Sequence, residues 1–291
     1  MQTLQTESSA KTWGHTSKGL FALTKNKEIL FLSAQKPKGP LTINLCRDIP
    51  ENQICDKEMS LQLTPVMIRC PRTNFIIELK PDILIWNPTL PDKLQPNIDL
   101  LLKRCKLLED KMSNQYSDKR SGFSLSLKES DHRGDSKTGL LSSLANNLLI
   151  ALSSMDEPKI YASLTPFLGL GEGLTPSGDD FICGFLLAVR FWQASLSPHL
   201  ELHRLSERIV ASAWEKTNTL SANLIKCATI GCADERIINC LQWLSGSEKS
   251  NPTMLEELLS YGNSSGADVL AGILTFIQSS STYIHRISGL L

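Results

Sequence analysis

The chain is organised around Phe167-Leu-Gly-Leu-Gly-Glu-Gly-Leu-Thr-Pro-Ser-Gly-Asp-Asp180, which runs directly into Phe181-Ile-Cys-Gly-Phe-Leu-Leu-Ala-Val-Arg-Phe-Trp192. A glycine-rich turn followed by a long apolar stretch without proline reads as a loop that opens a buried helix. Thr175 suits the N-cap and Pro176 the first helical position. Asp179 and Asp180 then fall in the first turn, where the helix dipole favours negative charge, and three or four backbone N–H groups are expected to point out of the helix end. With Gly171, Gly173 and Gly178 around it, such an end is a candidate anion site.

The same design returns near the C-terminus. Ser265-Gly-Ala-Asp-Val-Leu-Ala-Gly-Ile-Leu274 repeats Ser177-Gly-Asp-Asp-Phe-Ile-Cys-Gly-Phe-Leu186, so that Asp180 corresponds to Asp268 and Gly184 to Gly272. One reading is a pair of capped helices whose glycines allow close packing. The sharper reading is a site built from two helix starts. Its candidate catalytic residues are Asp179, Asp180 and Asp268, and its candidate substrate-binding residues include Gly171, Gly173, Thr175, Ser177, Gly178, Ser265 and Gly266. Thr217-Asn-Thr-Leu-Ser-Ala-Asn223 precedes another apolar stretch. Thr219 or Ser221 can cap that helix; alternatively the segment forms a third wall of the glycine-loop site, which adds Thr219 and Ser221 to the substrate-binding set.

Working outward, the totals describe an ordinary globular chain: 291 residues, 41% apolar and 21% charged, with 30 basic residues balanced by 30 acidic ones. A neutral balance gives no support to binding of nucleic acid or a membrane surface. No apolar run reaches the ~18–20 residues of a membrane span, and the first residues carry no basic region or signal core, so the expected location is cytoplasmic. The eight cysteines stand singly, mostly within apolar patterns and never as Cys-x-x-Cys. They read as small buried thiols rather than a disulfide framework.

The expected fold class is α+β: an N-terminal antiparallel β-rich domain (a sheet or small barrel) followed by a C-terminal all-α domain. Residues 1–17 are polar and read as loose. Short strand-like segments follow at 19–24, 28–33, 41–46, 59–64, 66–69 and 75–79, punctuated by Pro, Gly and Asn. Helical spacing begins at 98–112. Serine, lysine, aspartate and glycine dominate 113–139, which reads as a loop or linker with strand character only at 123–127. From residue 140 the chain is expected to be helical, at 140–155, 181–193, 198–214, 220–230, 237–244, 254–261 and 269–278. The domains are accordingly placed at 1–97 and 140–291, with a helix and polar linker at 98–139.

Other motifs fall short. Gly169-Leu-Gly-Leu-Gly-Glu-Gly173 has dinucleotide-like glycine spacing but no preceding strand in a β-α-β unit and no following P-loop lysine. His199 and His203 share a helix face at i, i+4, but no glutamate follows the first histidine and no third ligand is apparent. No serine–histidine–acid or cysteine–histidine constellation assembles. Neither a metal nor a cofactor is expected.

Gly171-Glu-Gly-Leu-Thr-Pro-Ser-Gly-Asp-Asp180, Thr217-x-Thr-Leu-Ser221 and Ser265-Gly-Ala-Asp-x-Leu-x-Gly272 together resemble a bacterial family that includes the AllH-type subunit of oxamate carbamoyltransferase. Gly39-Pro-Leu-Thr-Ile43 and Ile85-Trp-Asn-Pro88 look like its weaker N-terminal marks. The resemblance implies a subunit of a multi-component carbamoyltransferase, exchanging oxamate and carbamoyl phosphate with oxalurate and phosphate in anaerobic allantoin (purine) breakdown. It implies companion subunits and a small anionic substrate: carbamoyl phosphate, phosphate or oxamate. Family resemblance leaves two roles open for this chain, a catalytic subunit or a non-catalytic, small-anion-binding assembly or regulatory subunit. The aspartates sit awkwardly beside an anion. Either Asp180 and Asp268 accept hydrogen bonds from their own loop N–H groups and hold the loops rigid, or one of them accepts from the NH2 group of carbamoyl or oxamate while backbone N–H groups take the charged end.

Overall fold

The computed structural model describes residues 8–50, 58–73, 75–80, 84–89, 97–115, 136–198, 202–247 and 253–287. Backbone contacts divide the chain into two units, Met1–Pro88 and Thr89–Leu291.

The first unit is a seven-stranded sheet in the order β4-β3-β2-β1-β5-β6-β7. Its strands are β1 (Ser8–Thr16), β2 (Gly19–Thr24), β3 (Ile29–Ser33), β4 (Thr42–Asn44), β5 (Ser60–Leu63), β6 (Met67–Arg69) and β7 (Ile76–Glu78). Period-two alternation is clearest in β5, where Leu61 and Leu63 are buried while Ser60 and Gln62 are exposed. Ala10, Leu20, Ala22, Leu32 and Ile68 join those leucines in one apolar cluster. Two expectations are corrected. The sheet is mixed rather than wholly antiparallel, because β4 pairs parallel with β3. The supposedly loose N-terminus supplies β1, which is the central strand and pairs with both β2 and β5. Its polar residues disguised it. Thr12 is buried because its Oγ1 accepts the Met59 N–H at 2.9 Å, so a hydroxyl sits in the interior with its bonding capacity used.

Described helices of the second unit are α1 (Ile98–Gln115), α2 (Ser136–Ser154), α3 (Glu157–Leu164), α4 (Ser177–Leu196), α5 (Leu202–Lys216), α6 (Thr219–Thr229), α7 (Glu235–Leu244), α8 (Met254–Leu259) and α9 (Ser265–Ile287). The α+β class is therefore correct. None of the described helices is long and apolar enough to cross a membrane. The strand character expected at 123–127 lies outside the described residues, and α2 starts at Ser136, earlier than its apolar spacing suggested.

The core of this unit is the pair α4 and α9, the two helices that carry the repeat. Trp192, Phe185, Leu186, Ile273 and Phe276 are fully buried, and Phe185 meets Phe276 edge to face at 5.5 Å between ring centroids. Burial of side chains of this size contributes roughly 1.5–3 kcal/mol each. The two axes meet at their glycines. A Cβ on Gly184 would lie 1.9 Å from the Val269 carbonyl oxygen, and one on Gly272 would lie 2.0 Å from the Phe181 carbonyl oxygen. Phe181 and Val269 occupy the same place in the two repeats, so the contact is reciprocal: each copy's second glycine receives the other copy's backbone. Close packing thus accounts for Gly184 and Gly272, and it brings the two helix starts, with their aspartates, to one end of the pair.

Candidate functional site

The loop ahead of α4 is anchored at both ends. Phe167 closes a short 3-10 turn (Thr165–Phe167) and stacks on Phe181 with centroids 5.1 Å apart. The chain then reverses at Gly169, whose φ of +73° and whose closeness to the Lys216 carbonyl (2.6 Å from a notional Cβ) both exclude a side chain. Residues 171–174 are exposed, and a Cβ on Gly173 would meet nothing within 4 Å. The helix begins one residue later than its capping pattern suggested. Pro176 is extended (φ −52°, ψ 141°), no side chain caps the helix, and Ser177 is its first residue. Thr175 is therefore not the N-cap; its hydroxyl lies 3.2 Å from the Ser265 hydroxyl, joining the first loop to the second.

The helix starts are less open than expected. The Gly178 N–H donates to the Leu170 carbonyl at 2.8 Å, and the Asp179 and Asp180 N–H groups donate to the Pro176 carbonyl at 2.9 and 3.2 Å. At the second start, the Gly266 N–H donates to Tyr261 and the Asp268 N–H to Ser264. Gly178 and Gly266 are filled positions as well, each with a carbonyl 2.0 Å from a notional Cβ, that of Phe167 and that of Leu258 respectively. These five donors, counted on for an anion, are spent within the loops.

The three aspartates divide in role. Asp179 is a brace. Its Oδ1 accepts the Gly169 N–H at 2.9 Å and its Oδ2 accepts the Thr217 hydroxyl, so one carboxylate ties the glycine turn to the segment before α6. Burial raises its pKa, while Thr217, Gly169 and the adjacent Ser221 hydroxyl hold it down. Asp180, 2% exposed, is different. Its Oδ2 is buried with no hydrogen-bond partner among the described residues. Burial pushes its pKa up to about 8; Ser265 and Thr175 moderate the rise, and the neighbouring carboxyls of Asp268 and Asp179 add to it. Asp268 is fully buried on the equivalent turn of α9. Among the described residues, no three His, Cys, Asp or Glu side chains are placed to hold a metal ion.

The segment before α6 closes a third side. Asn218, not Thr219 or Ser221, is the N-cap: its Oδ1 accepts the Ser221 N–H at 3.0 Å. Its Nδ2 donates to the Leu174 carbonyl at 3.0 Å, so the same amide also holds the glycine loop. Thr219 is the first residue of α6, and its carbonyl accepts from Asn223. The Ser221 hydroxyl is buried beside Asp179 without a well-formed hydrogen bond. Of the sequence-derived residues, Thr175, Asp180, Ser265 and Asp268 thus converge, with Asp179 and Ser221 behind them. Ser177 is half-buried at the helix start, and Gly171 and Gly173 lie on the exposed arm of the loop. Thr217 and Asn218 lie in the segment read as a third wall but were not singled out as site residues, and Tyr261 was not read as one. Burial and then the Asp180 and Asp234 carboxyls raise the Tyr261 phenol well above its ordinary range, which keeps a neutral hydroxyl-bearing ring near the junction. Thr217 and Asn218 adjoin the candidate positions 219 and 221, and that adjacency was the available signal.

This constellation falls inside a recognised segment. Residues 167–277 match the family described as oxamate carbamoyltransferase subunit AllH. Both Ser-Gly-x-Asp repeats and the Thr217–Ser221 wall lie within the AllH match, in agreement with the resemblance read from those motifs. No curated protein and no solved structure matches the chain. Of the minor motifs, His199 lies outside the described residues, and His203 is exposed, 3.4 Å from Glu207.

Proposed function

We propose that this chain is a subunit of an oxamate carbamoyltransferase and that the junction of its two repeats takes part in the transfer. The observation that carries the reading is Asp180: a buried carboxyl at the meeting point of two loops, with one oxygen unpaired and a pKa of about 8, inside the AllH-matching segment.

The chemistry asks for such a group. In the synthetic direction the amide nitrogen of oxamate attacks the carbamoyl carbon of carbamoyl phosphate. The C–N bond forms, the C–O bond to phosphate breaks, and the nitrogen must shed a proton. Ionised Asp180 can accept that proton; protonated, it can return it to the departing oxamate nitrogen when phosphate attacks oxalurate. A pKa near working pH suits both directions. A carboxyl also recognises an NH2 group, which resolves the tension between aspartates and an anionic substrate: the donor end faces Asp180 and Asp268, and the exposed backbone at 171–174 remains for the charged end. Asp179 keeps its role as the brace. On this reading the chain serves anaerobic allantoin breakdown alongside companion subunits.

The test is reconstitution. The purified chain, its companion subunits and the assembled complex are assayed for oxalurate formation from oxamate and carbamoyl phosphate. Activity that requires this chain supports the reading. Full activity of the companions without it assigns the chain an accessory, non-catalytic role.

A further inference from the structure

Asp180 is enclosed. Its unpaired Oδ2 has no contact with solvent, and Thr175 and Ser265 stand beside it. A substrate group can meet that oxygen only if something moves. The segment that carries Thr175 is the exposed arm of the glycine loop, and its attachments are few. Upstream, the Gly169 N–H is bonded to Asp179. Downstream, Pro176 is buried and the helix begins. Between them the arm's side-chain attachments are the hydroxyl contact from Thr175 to Ser265 and the bond from Asn218 Nδ2 to the Leu174 carbonyl, while the Gly171 backbone lies against Ser177, whose nitrogen is 2.7 Å from a notional Cβ. The first attachment is to α9; the second is to α6.

We propose that Asn218 is a positioning residue whose side-chain amide latches the arm 171–175 shut over Asp180, and that release of this latch admits substrate. The proposal rests on the reading of Asp180 as the group that meets substrate. The two ends of the amide do different work. Oδ1 caps α6 and Nδ2 holds Leu174, so breaking the second bond frees the loop without uncapping the helix. Because Thr175 follows Leu174 directly, movement of the Leu174 carbonyl draws Thr175 away from both Ser265 and Asp180. Gly171 and Gly173, with φ of +122° and +97°, give the arm backbone freedom on either side of Glu172.

Asn218→Asp separates the two functions. The carboxylate still accepts the Ser221 N–H and keeps the cap, but it has no N–H to donate to Leu174 and repels that carbonyl. The readout is labelling of Asp180 by a water-soluble carbodiimide with an amine nucleophile at neutral pH, mapped by mass spectrometry on the full chain. Labelling about tenfold faster than in the unsubstituted protein is expected, the factor that loss of one ordinary hydrogen bond makes in an opening equilibrium, at nearly unchanged melting temperature. A second variant, Thr175→Cys with Ser265→Cys, places two thiols where two hydroxyls now touch. Its oxidised form should label more slowly than its reduced form. Unchanged labelling in Asn218→Asp, or equal labelling of the oxidised and reduced double variant, overturns the latch. Because labelling is read without turnover, the two failures are distinguishable: a latch confirmed in a protein whose complex needs no Asp180 would leave the latch standing, while its role in admitting substrate fell with the functional reading.

Discussion

Substitution of Asp180 by Asn tests the electrostatics of the junction without any substrate. Buried and beside Asp268, the folded-state carboxyl titrates at about 8 against an ordinary value of 3.8. Because the folded-state pKa is the higher, the native state binds the proton more tightly than the unfolded chain does. The resulting stabilisation is fully present below the unfolded value, declines from about pH 4 upward and is lost as pH rises through 8. The maximum slope is about 1.4 kcal/mol per pH unit, and the whole interval amounts to about 6 kcal/mol as an order of magnitude. That is a large part of a typical domain stability of about 5–15 kcal/mol. Asn mimics the protonated acid in size and carries no charge. The variant should therefore lie within about 1–2 kcal/mol of the parent at pH 5 and exceed it by several kcal/mol at pH 9. The assay is urea denaturation between pH 5 and 9, followed by fluorescence of tryptophans in the helical unit, where Trp192 is fully buried. Parallel stability curves for the two proteins, with no gap opening at alkaline pH, would refute the assignment.

Further outcomes follow from neighbouring contacts. Asp268→Asn removes a charge that raises the Asp180 pKa, so the loss of stability should be smaller and complete at lower pH; movement to higher pH contradicts the coupling. Gly184→Ala places a methyl 1.9 Å from the Val269 carbonyl oxygen, and despite the better helix propensity of alanine it should destabilise by about 2–4 kcal/mol, read as a lowered melting temperature. Thr217→Val removes a donor to Asp179. It should cost about 1–3 kcal/mol and speed hydrogen exchange at the Gly169 amide, whose protection would otherwise have to come from some other bond.

The α+β class and the site's two repeats were legible because both are local patterns: strand alternation between turn residues, helical spacing, and a motif recurring within one chain. What escaped depends on partners distant in sequence. β1 was hidden because Thr12 is polar by type yet apolar in effect once Met59 donates to it. Thr175 has the chemistry of an N-cap, but its position is set by the extended Pro176 and by Ser265, 90 residues away. The division between Asp179 as brace and Asp180 as a buried carboxyl with an unpaired oxygen cannot be read from two adjacent identical residues. It depends on Gly169 and Thr217 reaching one carboxyl and not the other. The glycines carried both of their possible meanings at once, since Gly184 and Gly272 pack the helices and thereby assemble the junction.

The most direct measurement is the pH dependence of carbamoyl transfer by the reconstituted complex, with the parent chain and with Asp180→Asn. The account predicts that kcat/KM for oxalurate formation rises with pH through a limb near 8 in the parent. It further predicts that the folded variant loses about 100-fold or more of that rate along with the limb. A folded Asp180→Asn complex with the parent's rate and the parent's pH profile would contradict it.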